Sequence, residues 1–108
     1  MRVLVLDTLI DQTIKHKIPN NVLPRLHKEY RELARLEKEG YNAIYTYLTT
    51  GNNGKQMHGV TDITIYKFQL TDGDRILYTY GKYLPYLHNE KDSLVLLCCN
   101  RLICFFLN

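Results

Sequence analysis

The spacing of apolar residues changes along the chain, from short runs and helical stripes in the first half to alternation and one continuous run in the second. "RVLVLD" (2–7) is a Val/Leu run that predicts a strand buried on both faces. "TLIDQTIKHK" (8–17) predicts a short helix with Leu9, Ile10 and Ile14 as its apolar positions. "IPNN" interrupts the pattern. Asn20 or Asn21 is placed to cap the helix that follows, and Pro24 falls in its first turn, where a missing N–H is tolerated. Leu23, Leu26, Tyr30, Leu33, Tyr41, Ile44 and Leu48 recur at helical spacing, with Leu36 just off the stripe. Arg25–Glu29, Lys28–Glu32 and Arg35–Glu39 stand four apart on the opposite face. Gly40 lies inside this segment, at a cost of about 1 kcal/mol relative to alanine, so the pattern fits either one long helix or two helices broken near Gly40. "TTGNNGK" (49–55) reads as a loop.

In the second half "DITIYKFQL" (62–70) and "DRILYTYGKYL" (74–84) alternate, and "DSLVLLCC" (92–99) is continuously apolar, as a central strand requires. The expected fold is a single α+β domain over residues 1–108. It has an N-terminal strand, a helical pair, and a three-stranded antiparallel meander formed by 63–70, 75–81 and 93–99. The helices cover one face of this small four-stranded sheet. If "TDG" (71–73) is a three-residue loop with Gly73 left-handed, Leu70 opposes Asp74, Phe68 opposes Ile76 and Tyr66 opposes Tyr78, all facing the helices. Lys67 then opposes Leu77 and Gln69 opposes Arg75 on the other, open face. A two-residue loop would scramble the faces.

Composition changes this picture little. With 45% hydrophobic and 23% charged residues the chain is ordinary globular protein, long enough for a core without a metal or disulfide. The N-terminal apolar run is interrupted by Asp7 and Asp11 and reads as a strand, not a signal peptide. No run is long enough for a membrane span. Cys98, Cys99 and Cys104 form a poor disulfide framework. They read as core residues of a cytoplasmic protein, with Cys98 and Cys99 on opposite faces of a strand. His16, His27, His58 and His88 are scattered without metal-ligand spacing, so neither a metal nor another cofactor is expected. The net charge of +3 is compatible with nucleic acid or an acidic protein and argues for neither.

"YKFQLTDGDRILYTY", followed by an acidic linker and "DSLVLLCC", resembles the RelE/ParE superfamily of bacterial toxins. The shared pattern is an alternating strand with a lysine, a turn, Arg-apolar-apolar-Tyr, a linker and an apolar strand. The N-terminal strand, the helical pair and a small residue before the sheet, Gly59, also fit. The resemblance implies the toxin of a toxin–antitoxin pair that cleaves mRNA on the ribosome without a metal. The 2′-hydroxyl attacks the adjacent phosphate while basic side chains stabilise the added charge. It also implies a protein antitoxin as partner. By position, Arg75 matches the family's arginine after the turn. Lys55 and His58 fall near its basic segment, and Arg101 near its basic residues after the last strand. The catalytic candidates are Arg75, Lys67 and His58; the phosphate- or base-contacting candidates are Lys55, Tyr80 and Arg101.

The chain departs from the pattern at its end. "NRLICFFLN" is apolar where the family carries polar or catalytic residues, so Tyr78, Tyr80 or His58 would have to substitute. The alternative is a non-catalytic binding domain of the same fold, either an inhibitor of gyrase or a degenerate remnant. Left exposed, Leu102, Ile103, Phe105 and Phe106 would form an association patch, so they are expected to dock on the domain's own core or to join copies of it. Each candidate also has a plain reading: Arg75 as a solvated strand arginine, the lysines as surface charges, His58 as a loop histidine, the tyrosines as core.

Overall fold

The structure, a computed structural model, describes residues 1–15, 17–51, 53–57, 63–84 and 91–100. It is an α+β fold. Among the described residues the order is β1 (Val3–Val5), α1 (Asp7–Ile14), α2 (Leu23–Glu37), α3 (Tyr41–Leu48), β2 (Lys55–Met57), β3 (Ile65–Gln69), β4 (Arg75–Tyr80), a single 3₁₀ turn (Gly81–Tyr83) and β5 (Leu94–Cys99). The five strands form one sheet in the order β1-β5-β4-β3-β2. β1 runs parallel to β5; the other neighbours are antiparallel. The meander is therefore present as expected, but among the described residues the sheet has five strands, not four, and the long helical segment is broken at Gly40 so that the helices number three.

The additional strand is β2, which lies just beyond the glycine-rich loop. Lys55–Met57 is too short and too polar to alternate visibly. It is held by what precedes it: the Gly54 N–H donates to the Lys67 carbonyl at 3.0 Å, and Asn53 Oδ1 accepts the Gln69 N–H at 2.9 Å. β1 is half-buried and not buried on both faces, because β5 flanks it on one side only.

The helices end for local reasons. Of the apolar positions on α1 only Leu9 is buried; Ile10 and Ile14 are exposed. α2 is entered without an asparagine cap. The Val22 and Leu23 N–H groups both donate to the Pro19 carbonyl, and Pro24 sits in the first turn. Leu26, Leu33 and Leu36 are buried, so Leu36 belongs to the core stripe. Of the charge pairs, Arg35–Glu39 forms at 3.2 Å, with Glu32 also on Arg35. Glu29 instead accepts from the Tyr47 hydroxyl. Gly40 breaks the helical segment: at φ 98°, ψ −172° it adopts a conformation open essentially to glycine alone.

Both sheet faces are apolar. One packs Phe68, Ile76, Tyr78, Tyr80, Leu94, Leu96 and Cys99 against Leu9, Leu26, Leu33, Ile44 and Leu48 of the helices. The other clusters Ile65, Leu77, Val95, Leu97 and Cys98 with Leu84, joined by the partly buried Leu4, Leu6, Met57 and Ile63. A bulge between Leu77 and Tyr78 sets Leu96 opposite Tyr78 and Cys98 opposite Leu77, leaving Leu97 as the extra residue. That is why the neighbours Leu97 and Cys98 share a face. Cys98 and Cys99 lie on opposite faces, both buried, as their adjacency predicts. Past the end of β1 the Cys99 backbone is paired by a side chain. Gln12 Oε1 accepts its N–H at 2.7 Å and Gln12 Nε2 donates to its carbonyl at 3.0 Å.

The β3–β4 register is the one the alternation predicts: Tyr66 opposite Tyr78, Lys67 opposite Leu77, Phe68 opposite Ile76 and Gln69 opposite Arg75. The turn is closed differently. Gly73 is not left-handed. The Leu70 and Thr71 N–H groups converge on the Asp74 carbonyl at 2.8 and 3.2 Å. The Thr71 hydroxyl donates to the Asp74 carboxylate and accepts the Asp74 N–H.

Glycine substitutions separate these roles. A Cβ on Gly54 would stand 2.8 Å from Thr49 Cγ2 and 3.1 Å from the Leu48 carbonyl oxygen at φ +77°. Gly54→Ala and Gly40→Ala are each expected to lower stability by about 1–3 kcal/mol. Gly73→Ala, which meets open space, should leave it unchanged or slightly raised. Urea unfolding of the three variants checks this; a loss at Gly73 equal to that at Gly54 would contradict it.

Candidate functional site

The apolar layer on the helix-free face stops at Leu77 and Cys98, and polar side chains take over toward the Leu70–Asp74 turn. Lys55, Lys67, Leu77 and Cys98 lie opposite one another across β2, β3, β4 and β5. Beyond that row come Gln69 and Arg75. Directly opposed side chains share a face, so Lys55, Lys67 and Arg75 stand together. Lys67 and Arg75 are diagonal neighbours, about 7–8 Å apart at their backbones. With Asn53, Gln69, Asp72, Gly73 and Asp74 they line a cleft of about 250 Å³.

Two lysines facing each other across a strand pair repel. Among the described residues Lys55, Lys67 and Arg75 have no carboxylate within ion-pair distance; the described pairs all lie on α1 and α2 or at the turn after α2. The two acids in the cleft differ. Asp74 is engaged on both oxygens, by the Thr71 hydroxyl at 2.7 Å and the Asn100 amide at 2.8 Å. These bonds, that of Thr71 first, hold its carboxyl below the usual aspartate range. The exposed Asp72 contributes its backbone carbonyl to Gln69 Nε2 at 3.0 Å, leaving its carboxylate facing solvent. The cleft thus offers two half-buried cations, the amides of Asn53 and Gln69, and one unengaged carboxylate. That set suits an anion carrying hydrogen-bonding groups of its own.

The structure brings together Arg75, Lys67 and Lys55. It does not bring Tyr80 to them. Tyr80 and Tyr78 point to the helix face, where Tyr66 stacks on Tyr78 at 5.5 Å and meets Tyr80 edge-on at 5.7 Å. Burial above all pushes the Tyr78 and Tyr80 hydroxyls well above the usual phenol range, and burial with a hydrogen bond donated to Tyr83 raises Tyr66 to about 12. These phenols are packing elements and stay protonated at neutral pH. Tyrosine stacking surface is exposed instead on α3, where Tyr41 and Tyr45 stack at 5.8 Å. Burial raises the Cys99 thiol to about 11, which removes it as a nucleophile. His58, Gly59, Arg101 and the apolar tail from Leu102 to Phe106 lie outside the described residues.

Sequence reasoning did not single out Asn53, Asp72, Asp74 or Asn100. The one signal available was the density of Asn, Asp and Gly in the two loops. Among the described residues no group of three His, Cys, Asp or Glu side chains is placed to hold a metal ion, and no helix is long and apolar enough to cross a membrane. Comparison of the chain with family models, with curated proteins and with solved structures finds no match.

The depressed Asp74 pKa gives a signed pH dependence. Its contribution to stability is present above the ordinary aspartate pKa of about 3.9 and is lost as pH falls through the lower folded value. The stability advantage of the wild type over Asp74→Asn should therefore be larger at pH 7 than at pH 2.5, as read from urea midpoints. An equal difference at the two pH values would show that the carboxylate charge is not what Thr71 and Asn100 hold.

Proposed function

We propose that the cleft beside the Leu70–Asp74 turn binds the phosphate backbone of RNA, and that the protein is a RelE/ParE-like toxin domain acting on mRNA. The observation that carries this reading is a cation group without a carboxylate partner among the described residues: Lys67 and Arg75 in the cleft, with Lys55 directly opposite Lys67. Three like charges on one patch are unfavourable until an anion joins them. Placed against the apolar layer of Leu77 and Cys98, they act on it more strongly than they would in open water.

In the reaction, the 2′-oxygen bonds to the adjacent phosphorus as the bond from phosphorus to the 5′-oxygen breaks. The 2′-hydroxyl proton passes to a base and the departing 5′-oxygen takes up a proton. The phosphorane between these steps carries more negative charge than the substrate. Fixed guanidinium and ammonium groups favour it over the ground state. Arg75, with its planar fork of donors, is the group suited to two phosphate oxygens at once, and Lys67 supplies a point charge beside it. The natural setting for this reading is the cytoplasm, with mRNA on the ribosome as substrate and a protein antitoxin as partner.

A second reading has its own support. Among the described residues the cleft holds no imidazole, its tyrosine neighbours face the other way, and Asp74 is engaged on both oxygens. This favours a domain of the same kind that binds phosphates without cutting.

Arg75→Ala and Lys67→Ala are each expected to weaken binding of a single-stranded RNA about tenfold and to lower the salt dependence by about 0.7 per lost phosphate contact. Stability should stay within about 0.5 kcal/mol of the wild type. RNA affinity unchanged in both variants would remove the cleft from RNA binding. Incubating the protein with translating ribosomes separates the two readings: mRNA cuts that Arg75→Ala abolishes support the nuclease, and binding without cuts supports the second.

A further inference from the structure

The strand β5 ends at Cys99, but the contact between its chain and β4 continues through Asn100. Asn100 is left-handed at φ 65°, the one non-glycine residue with positive φ among the described residues, and asparagine is among the side chains that tolerate it. From there it closes on the residue that opens β4. Asn100 Oδ1 accepts the Arg75 N–H at 2.8 Å, and the Asn100 N–H donates to the Arg75 carbonyl at 3.1 Å. Both backbone polar groups of Arg75 are thereby held by one residue. The same side chain uses its Nδ2 to engage Asp74 Oδ1, while Thr71 engages Oδ2.

Asp74 precedes Arg75 in the chain and lines the same cleft. A carboxylate so tethered competes with any incoming phosphate for the guanidinium at high effective concentration. It does not do so here because both of its oxygens are engaged by neutral donors. Among the described residues Arg75 is left without a carboxylate partner, on a backbone fixed from the β5 side. We infer that Asn100 is a positioning residue of the phosphate cleft: its amide fixes the Arg75 backbone and keeps the Asp74 carboxylate off the Arg75 guanidinium. This inference rests on the reading of the cleft as a phosphate site.

The test uses the full chain and a fluorescein-labelled single-stranded RNA dodecamer. Asn100→Gly keeps the left-handed backbone and its N–H bond to Arg75 while deleting the amide. It should bind the RNA about tenfold more weakly than the wild type. Adding Asp74→Asn, which removes the competing charge, should restore affinity to within about threefold. Asn100→Asp with Asp74→Asn, a swap that preserves net charge and the 74–100 hydrogen bond with its direction reversed, should do the same and provides a second folded variant. A purely structural role would lower the melting temperature without rescue of affinity by Asp74→Asn. Wild-type affinity in Asn100→Gly, or failure of both double variants to recover, overturns the inference. Arg75→Ala run in parallel tells this failure from that of the cleft itself: undiminished binding by Arg75→Ala removes the phosphate site and the inference with it, whereas a loss in Arg75→Ala with none in Asn100→Gly removes the inference alone.

Discussion

Every side chain of β5, from Leu94 to Cys99, is withdrawn from water, three toward the helices and three toward the opposite layer. Each buried leucine or valine contributes about 1.5–3 kcal/mol relative to exposure. No other strand among the described residues carries six consecutive buried residues. The rest of the architecture follows from covering it. β1 lies parallel along one side, β4 antiparallel along the other, and the helices close over Leu94, Leu96 and Cys99. Alternation lets one strand serve both layers, and the bulge at Leu97 turns Leu97 and Cys98 to the same side, so that Cys99 and not Cys98 faces the helices. Where β1 gives out, Gln12 supplies the missing backbone partners from α1. That bond ties helix to sheet at the point where the ladder would otherwise be left open.

The position of the cations is a consequence of where this burial ends. Leu77 and Cys98 are the last apolar pair on the helix-free face, and Lys67 stands beside Leu77. Its stem borders apolar surface while its ammonium reaches the cleft, an arrangement natural to lysine. Arg75 is one alternation further out, at the start of β4. The site is thus built on strand positions, whose directions are set by the pleat, and bordered by the side chains of Asn53, Thr71 and Asn100, each of which accepts a backbone N–H.

Much of this was legible in the sequence because it depends on period two. Alternation through Tyr66, Phe68, Ile76 and Tyr78 set the hairpin register, and the register alone put Lys67 and Arg75 on one face. The continuous run in 92–99 correctly marked a strand buried on both sides. What escaped the sequence depends on contacts between distant segments. β2 is only three residues long and exists because β3 receives it. The open face was misjudged because Leu77 looked isolated among polar neighbours, whereas β5 supplies Val95, Leu97 and Cys98 to bury it. Gly73 suggested a left-handed turn, but Thr71 and Asp74 close the loop with side chains, so the glycine is not required to adopt that conformation. Asn20 and Asn21 offered caps that the Pro19 carbonyl made unnecessary. Tyr80 is a different case: it stands five residues from Arg75, and odd offsets along a strand fall on opposite faces, so the alternation itself argued against placing the two together.

The two outermost strands, β1 and β2, are each three residues long. An unpaired strand is a template on which a second chain can add itself, and long flat ones invite aggregation. Here the template on either margin is short, and on the β2 side it presents Lys55 and Gln56 to solvent. A peptide recognising this domain by extending its sheet would find only a few ladder positions at either margin. The same brevity guards the chain while its central strands are being assembled, when an exposed margin is most hazardous.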